Sequence, residues 1–121
     1  MATVLVVDDE FGIVEVITVA LEDEGHRVIA AVNGRQGLER LAEASVDLVL
    51  LDFMMPILDG PGMLRAMQVD PALREIPVVV MTSLDETRVR QECGDGVGYL
   101  RKPFSIGRIS QVVERRLGER G

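Results

Sequence analysis

Val46-Asp47-Leu48-Val49-Leu50-Leu51-Asp52 is the stretch that decides the fold. Leu48 to Leu51 is a short run, apolar on both faces, and reads as a buried strand of a parallel sheet. Periodicity alone also admits a buried helix segment. Met54-Met55-Pro56 and Asp59-Gly60 follow at once, which favours a strand that ends in a loop. Asp52 then stands at the carboxyl end of that strand. An isolated aspartate in such a place most often opens a loop into solvent. What gives Asp52 a larger role is the set of residues that close the other strands.

Upstream, Thr3 to Val7 is an apolar strand closed by Asp8-Asp9-Glu10. Residues 11 to 24 form a helix with Ile13, Val16, Ile17, Ala20 and Leu21 on one face and Gly25 as its stop. Arg27 to Val32 is a mixed strand that opens on a charge. Asn33-Gly34 then starts a helix that Asn33 can cap, with Leu38, Leu41 and Ala42 as its stripe. Downstream, a loop from Phe53 to Gly60 leads into a helix marked by Met63, Leu64 and Met67 that stops near Asp70-Pro71. Methionines at that spacing read as core packing.

Pro77 to Met81 is the fourth strand and ends at Thr82-Ser83. Asp85 to Cys93 is a weak helix, because only Leu84, Val89 and Cys93 can form its apolar side; Cys93 reads as a small packing residue. Gly94, Gly96 and Gly98 lead to a short strand, Tyr99-Leu100-Arg101, followed by Lys102-Pro103-Phe104. A last helix starts near Ser105 with Ile106, Ile109, Val113 and Leu117 inward. Strand and helix alternate five times, which argues an α/β fold with a parallel sheet. The wholly apolar strands one, three and four belong at its centre, and strands two and five at its edges. Ligands of such sheets bind at the carboxyl ends of the strands. Asp8 and Asp9, Asp52, Thr82 and Lys102 therefore converge on one rim.

The 121 residues make one domain, 1–121, with 13 basic and 20 acidic residues and a net charge of -7. Binding nucleic acid in general needs a basic surface, so this balance argues against it and suits a cation or a basic patch on a protein partner. A single cysteine forms no internal disulfide, and a reducing, cytoplasmic setting is expected. Val4 to Val7 is too short for a signal peptide, and no segment is expected to insert in a membrane. If an output domain exists, it is not expected on this chain.

Three carboxylates cannot crowd together without a counterion. A hard divalent cation such as Mg²⁺ resolves the conflict, taking one or two carboxylates and keeping several waters. Lys102 is a point charge suited to a phosphoryl oxygen, and Thr82 offers a hydroxyl donor. A carboxylate, a metal, a lysine and a hydroxyl make a site for phosphoryl transfer onto the carboxylate.

The motifs Val6-Val7-Asp8-Asp9-Glu10, Leu50-Leu51-Asp52, Met55-Pro56-Ile57-Leu58-Asp59-Gly60, Val79-Val80-Met81-Thr82-Ser83 and Tyr99-Leu100-Arg101-Lys102-Pro103-Phe104 occur in this order. In them the chain resembles the receiver domain of bacterial two-component response regulators, over nearly its whole length. The resemblance implies a doubly wound, flavodoxin-like sheet in the order 2-1-3-4-5, flanked by five helices. It implies a phosphoacceptor signalling switch that modifies only itself and is not otherwise an enzyme. Asp52 is then the phosphoacceptor and a metal ligand. Asp9 binds Mg²⁺ directly, Asp8 does so through water, and the Met54 carbonyl is a further ligand. Lys102 contacts the phosphoryl group, and its bond to Pro103 is cis. Thr82 and Tyr99 form the switch pair: Thr82 moves toward the phosphoryl group and Tyr99 turns inward behind it. A sensor histidine kinase or a histidine phosphotransfer protein is the implied donor. A downstream protein is the implied target, and the implied state is a monomer or a phosphorylation-dependent dimer. His26 matches no role in the family and reads as a solvated histidine at a strand end.

Two departures stand out. The fourth helix is short and runs into glycines, where relatives continue a longer helix on their usual output face. Met54 and Leu84 are apolar where relatives with fast phosphoryl loss are often polar, so a longer-lived phosphoryl group is expected. Two other classes compete. A haloacid dehalogenase-type phosphatase needs a second aspartate two residues after the nucleophile, where Asp52 is followed by Met54 and Asp8 by Glu10. A flavodoxin needs phosphate-binding donors in its first loop, which here is acidic.

Overall fold

The computed structural model describes residues 1–120, the side chains of Glu119 and Arg120 excepted. Strands and helices alternate in chain order: β1 (Thr3–Val7), α1 (Phe11–Asp23), β2 (Arg27–Ala31), α2 (Gly34–Glu43), β3 (Leu48–Asp52), α3 (Gly60–Gln68), β4 (Val78–Thr82), α4 (Glu86–Cys93), β5 (Gly98–Arg101) and α5 (Ile106–Arg120). The five strands form one parallel sheet in the order β2-β1-β3-β4-β5. The apolar strands are central as expected: every residue of β3 and β4 is buried, whereas β2 and β5 carry exposed positions.

Alternation along the strands divides the core in two. Leu5, Val7, Val49, Leu51, Val78 and Val80 face one layer, with Leu41 of α2, Met63 and Met67 of α3, and Val89 of α4. Val4, Val6, Leu48, Leu50, Val79, Met81 and Leu100 face the other, with Ile17 and Leu21 of α1 and Ile109 and Val113 of α5. Most of these side chains are wholly removed from water. At about 25 cal/mol per Å² of apolar surface, each contributes on the order of 1.5–3 kcal/mol before conformational entropy is set against it.

The caps are where the residue types place them. The Asn33 side chain accepts from the Gln36 N–H at 2.8 Å, and that of Asp59 from the Gly62 N–H at 2.8 Å with Pro61 in the first turn. Asp85 caps α4, accepting from the Arg88 N–H at 2.9 Å. The thin apolar side of α4 is supplemented by the i,i+4 pairs Glu86–Arg90 at 2.8 Å and Arg88–Glu92 at 2.7 Å.

Four expectations are corrected. Val16 is 46% exposed: α1 is apolar nearly all round, and the sheet takes Ile17, Ala20 and Leu21 instead. Ala42 is exposed, because α2 docks through glycine. A Cβ on Gly37 would lie 2.8 Å from Met63 Sδ, so glycine lets α2 sit against α3 without displacing the end of the Met63 side chain. Ile106 is 58% exposed, being the first residue of α5 and set beyond the strand ends. His26 is buried rather than solvated: its Nδ1 accepts from the Ala2 N–H at 3.1 Å, and its Nε2 lies 3.2 Å from Glu114 Oε1. It ties the starts of β1 and β2 to α5. No helix among the described residues is long and apolar enough to cross a membrane.

Candidate functional site

The strand ladder continues past the strand ends and levels the site residues. Asp8 N–H donates to the Ala31 carbonyl at 3.0 Å, Phe53 N–H to Met81 at 3.1 Å, and Lys102 N–H to Thr82 at 2.9 Å. In register, Val7 pairs with Leu51 and Asp52 with Met81. Period-two alternation does the rest. Asp8 continues Val4 and Val6, Asp52 continues Leu48 and Leu50, and Lys102 continues Leu100, all on the α1/α5 side. Thr82 follows Val78 and Val80 on the other side, together with Tyr99.

The expected cluster is therefore assembled. One carboxylate oxygen each from Asp8, Asp9 and Asp52 lie within 4.8 Å of one another. Asp8 and Asp52 are buried, and Asp9 is exposed. Lys102 Nζ reaches into them, 2.9 Å from Asp8 Oδ2 and 3.2 Å from Asp52 Oδ1. Burial, and then the Asp8 charge, push the Asp52 carboxyl up to about 6, although Lys102 pulls the other way. Burial pulls the Lys102 ammonium down, but its hydrogen bond to Asp8 and the charges of Asp52 and Asp8 outweigh this and hold it above its ordinary value. The Lys102–Pro103 bond is cis, as expected.

Glu10 was visible only as the third acid of a run. Its backbone N–H donates to Asp8 Oδ1 at 2.9 Å, and its carboxylate lies 3.5 Å from Lys102 Nζ. The run of carboxylates could have flagged it, but its lysine partner is 92 positions away.

The loop after Asp52 is held by tight local geometry. The Leu58 N–H donates to the Pro56 carbonyl at 2.8 Å around Ile57, whose φ is 71°. That is a γ-turn with a β-branched residue in the left-handed region, an uncommon and strained place for one. The Leu58 carbonyl in turn accepts from the Gly34 N–H at 2.9 Å. A Cβ on Gly60 would lie 2.4 Å from the Asp52 carbonyl oxygen, so glycine is needed where the loop folds back on the strand. Met54 is 72% exposed and, with Asp9, Met55, Pro56 and Asp59, lines a cavity of about 320 Å³ beside the acidic cluster.

Thr82 is buried and its Oγ1 accepts from the Leu84 N–H at 3.1 Å. Tyr99 is half-buried against the core, and its hydroxyl donates to the Leu84 carbonyl at 2.5 Å. Cys93 is buried in the α3/α4 layer, and burial pushes its thiol up, as befits a packing residue.

A family model of the response regulator receiver domain matches residues 4–114. Sporulation initiation phosphotransferase F of Bacillus subtilis is 34% identical over 116 residues, covering 94% of this chain and 92% of that protein. The polar-differentiation response regulator DivK of Brucella anthropi is 30% identical over 121 residues, covering 97% of each chain. The solved structure of the chemotaxis response regulator CheY4 of Vibrio cholerae superposes with a TM-score of 0.89 at 28% identity, covering 96% of this chain and 98% of that one. The sheet order, the acidic rim with its lysine and these likenesses agree: the chain belongs to the response regulator receiver domain family.

Proposed function

We propose that this domain is a phosphoacceptor switch of a two-component or phosphorelay system. It takes a phosphoryl group onto Asp52 from a phosphohistidine on a sensor histidine kinase or a histidine phosphotransfer protein, and so alters the face it offers to a downstream protein. The observation that carries this reading is the Lys102 ammonium set between the buried carboxylates of Asp8 and Asp52.

A nucleophilic carboxylate must be ionised. With its pKa pushed up to about 6, Asp52 is still mostly ionised at neutral pH while its negative charge is poorly solvated. An Asp52 oxygen forms the bond to phosphorus as the bond from phosphorus to the donor imidazole breaks, and the imidazole leaves with its electron pair. Lys102 is positioned to meet the charge that builds on the phosphoryl oxygens.

Asp8, Asp9 and Asp52 offer an all-oxygen donor set, and the crowding that raises Asp52 is what a divalent cation relieves. The three carboxylates fit Mg²⁺; Asp9, Asp52 and the Met54 carbonyl would hold it directly and Asp8 through water. When bound, Mg²⁺ neutralises phosphoryl charge. Thr82 donates its hydroxyl to the new phosphoryl group, and Tyr99 reads out that movement. The domain turns over no other substrate in this reading.

The test is mass spectrometry after acetyl phosphate and Mg²⁺. One phosphoryl group should be added, be removed by hydroxylamine and be absent when EDTA is present. A group that maps to any residue but Asp52 would overturn the assignment.

A further inference from the structure

The end of α1 presents two side chains to α5. Gly25, at φ 91°, closes the helix: its N–H donates to the Glu22 carbonyl at 3.0 Å, and the His26 N–H donates to the Leu21 carbonyl at 3.0 Å. This turn sets Glu24 and His26 against the face of α5 on which Ser110 and Glu114 lie one helical turn apart. Ser110 Oγ donates to Glu24 Oε2 at 2.5 Å, and His26 Nε2 lies 3.2 Å from Glu114 Oε1. One ligand atom each from Glu24, His26 and Glu114 lie within 4.8 Å of one another. They open on a cavity of about 640 Å³ that Asp47 also lines, and no lysine or arginine side chain among the described residues stands in its wall. The cluster sits beside the starts of β1 and β2, at the opposite end of the sheet from Asp52.

We infer that Glu24, His26 and Glu114 form a second metal site, suited to a first-row transition cation such as Zn²⁺. The two ends of the sheet differ in donor chemistry. The rim offers only oxygen, which suits Mg²⁺. Here an imidazole nitrogen joins two carboxylates, a set that favours Zn²⁺. The nitrogen is also what separates this cluster from an ordinary acidic patch. His26 is 8% exposed, so its ring does not turn freely into solvent, and Nε2 faces the carboxylates. Water completes the coordination from the cavity, and Asp47 adds negative charge to its wall. Occupied, the site fastens the α1–β2 turn to α5. It does not depend on the role of Asp52.

Binding carries a cost that marks it. His26 Nδ1 accepts from the Ala2 N–H at 3.1 Å, so the neutral ring carries its proton on Nε2. To give the Nε2 lone pair to the cation, the ring loses that proton and takes one up on Nδ1, with no net release. The Ala2 N–H then has no acceptor in the ring. Losing one hydrogen bond lowers the affinity by about 2- to 10-fold. Ala2 precedes β1, so its release leaves the strand ladder in place.

The experiment titrates Zn²⁺ into the purified protein in excess Mg²⁺, with calorimetry for affinity and NMR for location. The His26 ring signals should shift, and the Ala2 amide proton should exchange with water about 2- to 10-fold faster. Glu24→Gln and Glu114→Gln change exposed side chains and leave the core intact; each should weaken binding by at least about 10-fold. His26→Gln keeps an acceptor for the Ala2 N–H and should abolish binding at this end of the sheet. Zn²⁺-induced shifts confined to the surroundings of Asp8, Asp9 and Asp52 would overturn the inference. So would unchanged affinity in both glutamate variants, or a bound Zn²⁺ that leaves the Ala2 amide undisturbed. Labelling of Asp52 by acetyl phosphate tests the phosphoacceptor reading alone, so the two stand or fall separately.

Discussion

Thr82 and Tyr99 hold the two polar ends of the same residue: the Leu84 N–H is bound by Thr82 Oγ1 and the Leu84 carbonyl by the Tyr99 hydroxyl. Any movement of Thr82 toward Asp52 either drags Leu84 or releases it, and either shifts the acceptor that fixes Tyr99. A ligand moves such an equilibrium only through contacts that differ between states. The Thr82 hydroxyl is such a contact, worth roughly 1–3 kcal/mol when made to a charged group. Thr82→Ala should therefore still accept phosphate but lose the amide shifts around residues 84 and 99 that phosphorylation causes in the unsubstituted protein. Tyr99→Phe should keep the shifts near Thr82 and lose those of β5. Identical NMR difference maps for all three proteins would refute this coupling.

Asp52→Asn should abolish labelling and, without metal, stabilise the protein at neutral pH. The sign follows from the raised carboxyl. A pKa pushed from 3.8 to about 6 means that the folded protein holds the Asp52 proton more tightly than the unfolded chain does. Ionised Asp52 therefore weighs against folding above about pH 6, and that penalty fades as pH falls toward 4. At 1.36 kcal/mol per pKa unit it amounts to about 3 kcal/mol. Urea unfolding in EDTA at pH 7 and pH 4.5 measures it: the Asn variant should be the more stable at pH 7, with a smaller gap at pH 4.5. A less stable Asn variant at pH 7 would contradict the assigned crowding.

Replacing Lys102 by Met leaves Asp8 and Asp52 buried with no cation between them. Breaking a buried ion pair on one side costs about 3–5 kcal/mol. The Lys102→Met protein should lose stability on that order in EDTA and regain much of it on titration with Mg²⁺. The gain on adding Mg²⁺ should exceed that of the unsubstituted protein. Thermal melts with and without Mg²⁺ decide it.

Ile57 should be improvable. A non-glycine residue held in a sparsely populated backbone region costs about 1–3 kcal/mol, whereas glycine adopts it freely at a cost of about 0.5–1 kcal/mol in the unfolded chain. Ile57 is also 76% exposed, so it contributes little burial. Ile57→Gly should raise stability by about 0.5–2 kcal/mol. An unfolding midpoint equal to or below that of the parent would show the turn to be unstrained.

The strands and their rim were legible in the amino-acid sequence because a strand buried on both faces needs an unbroken apolar run, and such runs at Val4 to Val7, Leu48 to Leu51 and Val78 to Met81 admit few other readings. The polar residues that end them, Asp8, Asp52, Thr82 and Lys102, were legible for the same reason, since alternation and a parallel register leave little choice about where they meet. Caps such as Asn33 are local and could be read as well. Which valine of α1 faces water could not, because α1 is apolar on several sides and only the neighbouring layer selects Ile17 over Val16. The same holds for Gly37 in place of Ala42, for His26 between Ala2 and Glu114, for Glu10 beside Lys102, and for the double hold on Leu84. Each depends on atoms far apart in the chain, and their partnership comes into being only when loops of particular length close over the sheet. Short-range patterning decides which faces are buried, and the packing of one layer on another decides which polar atoms are left to find each other.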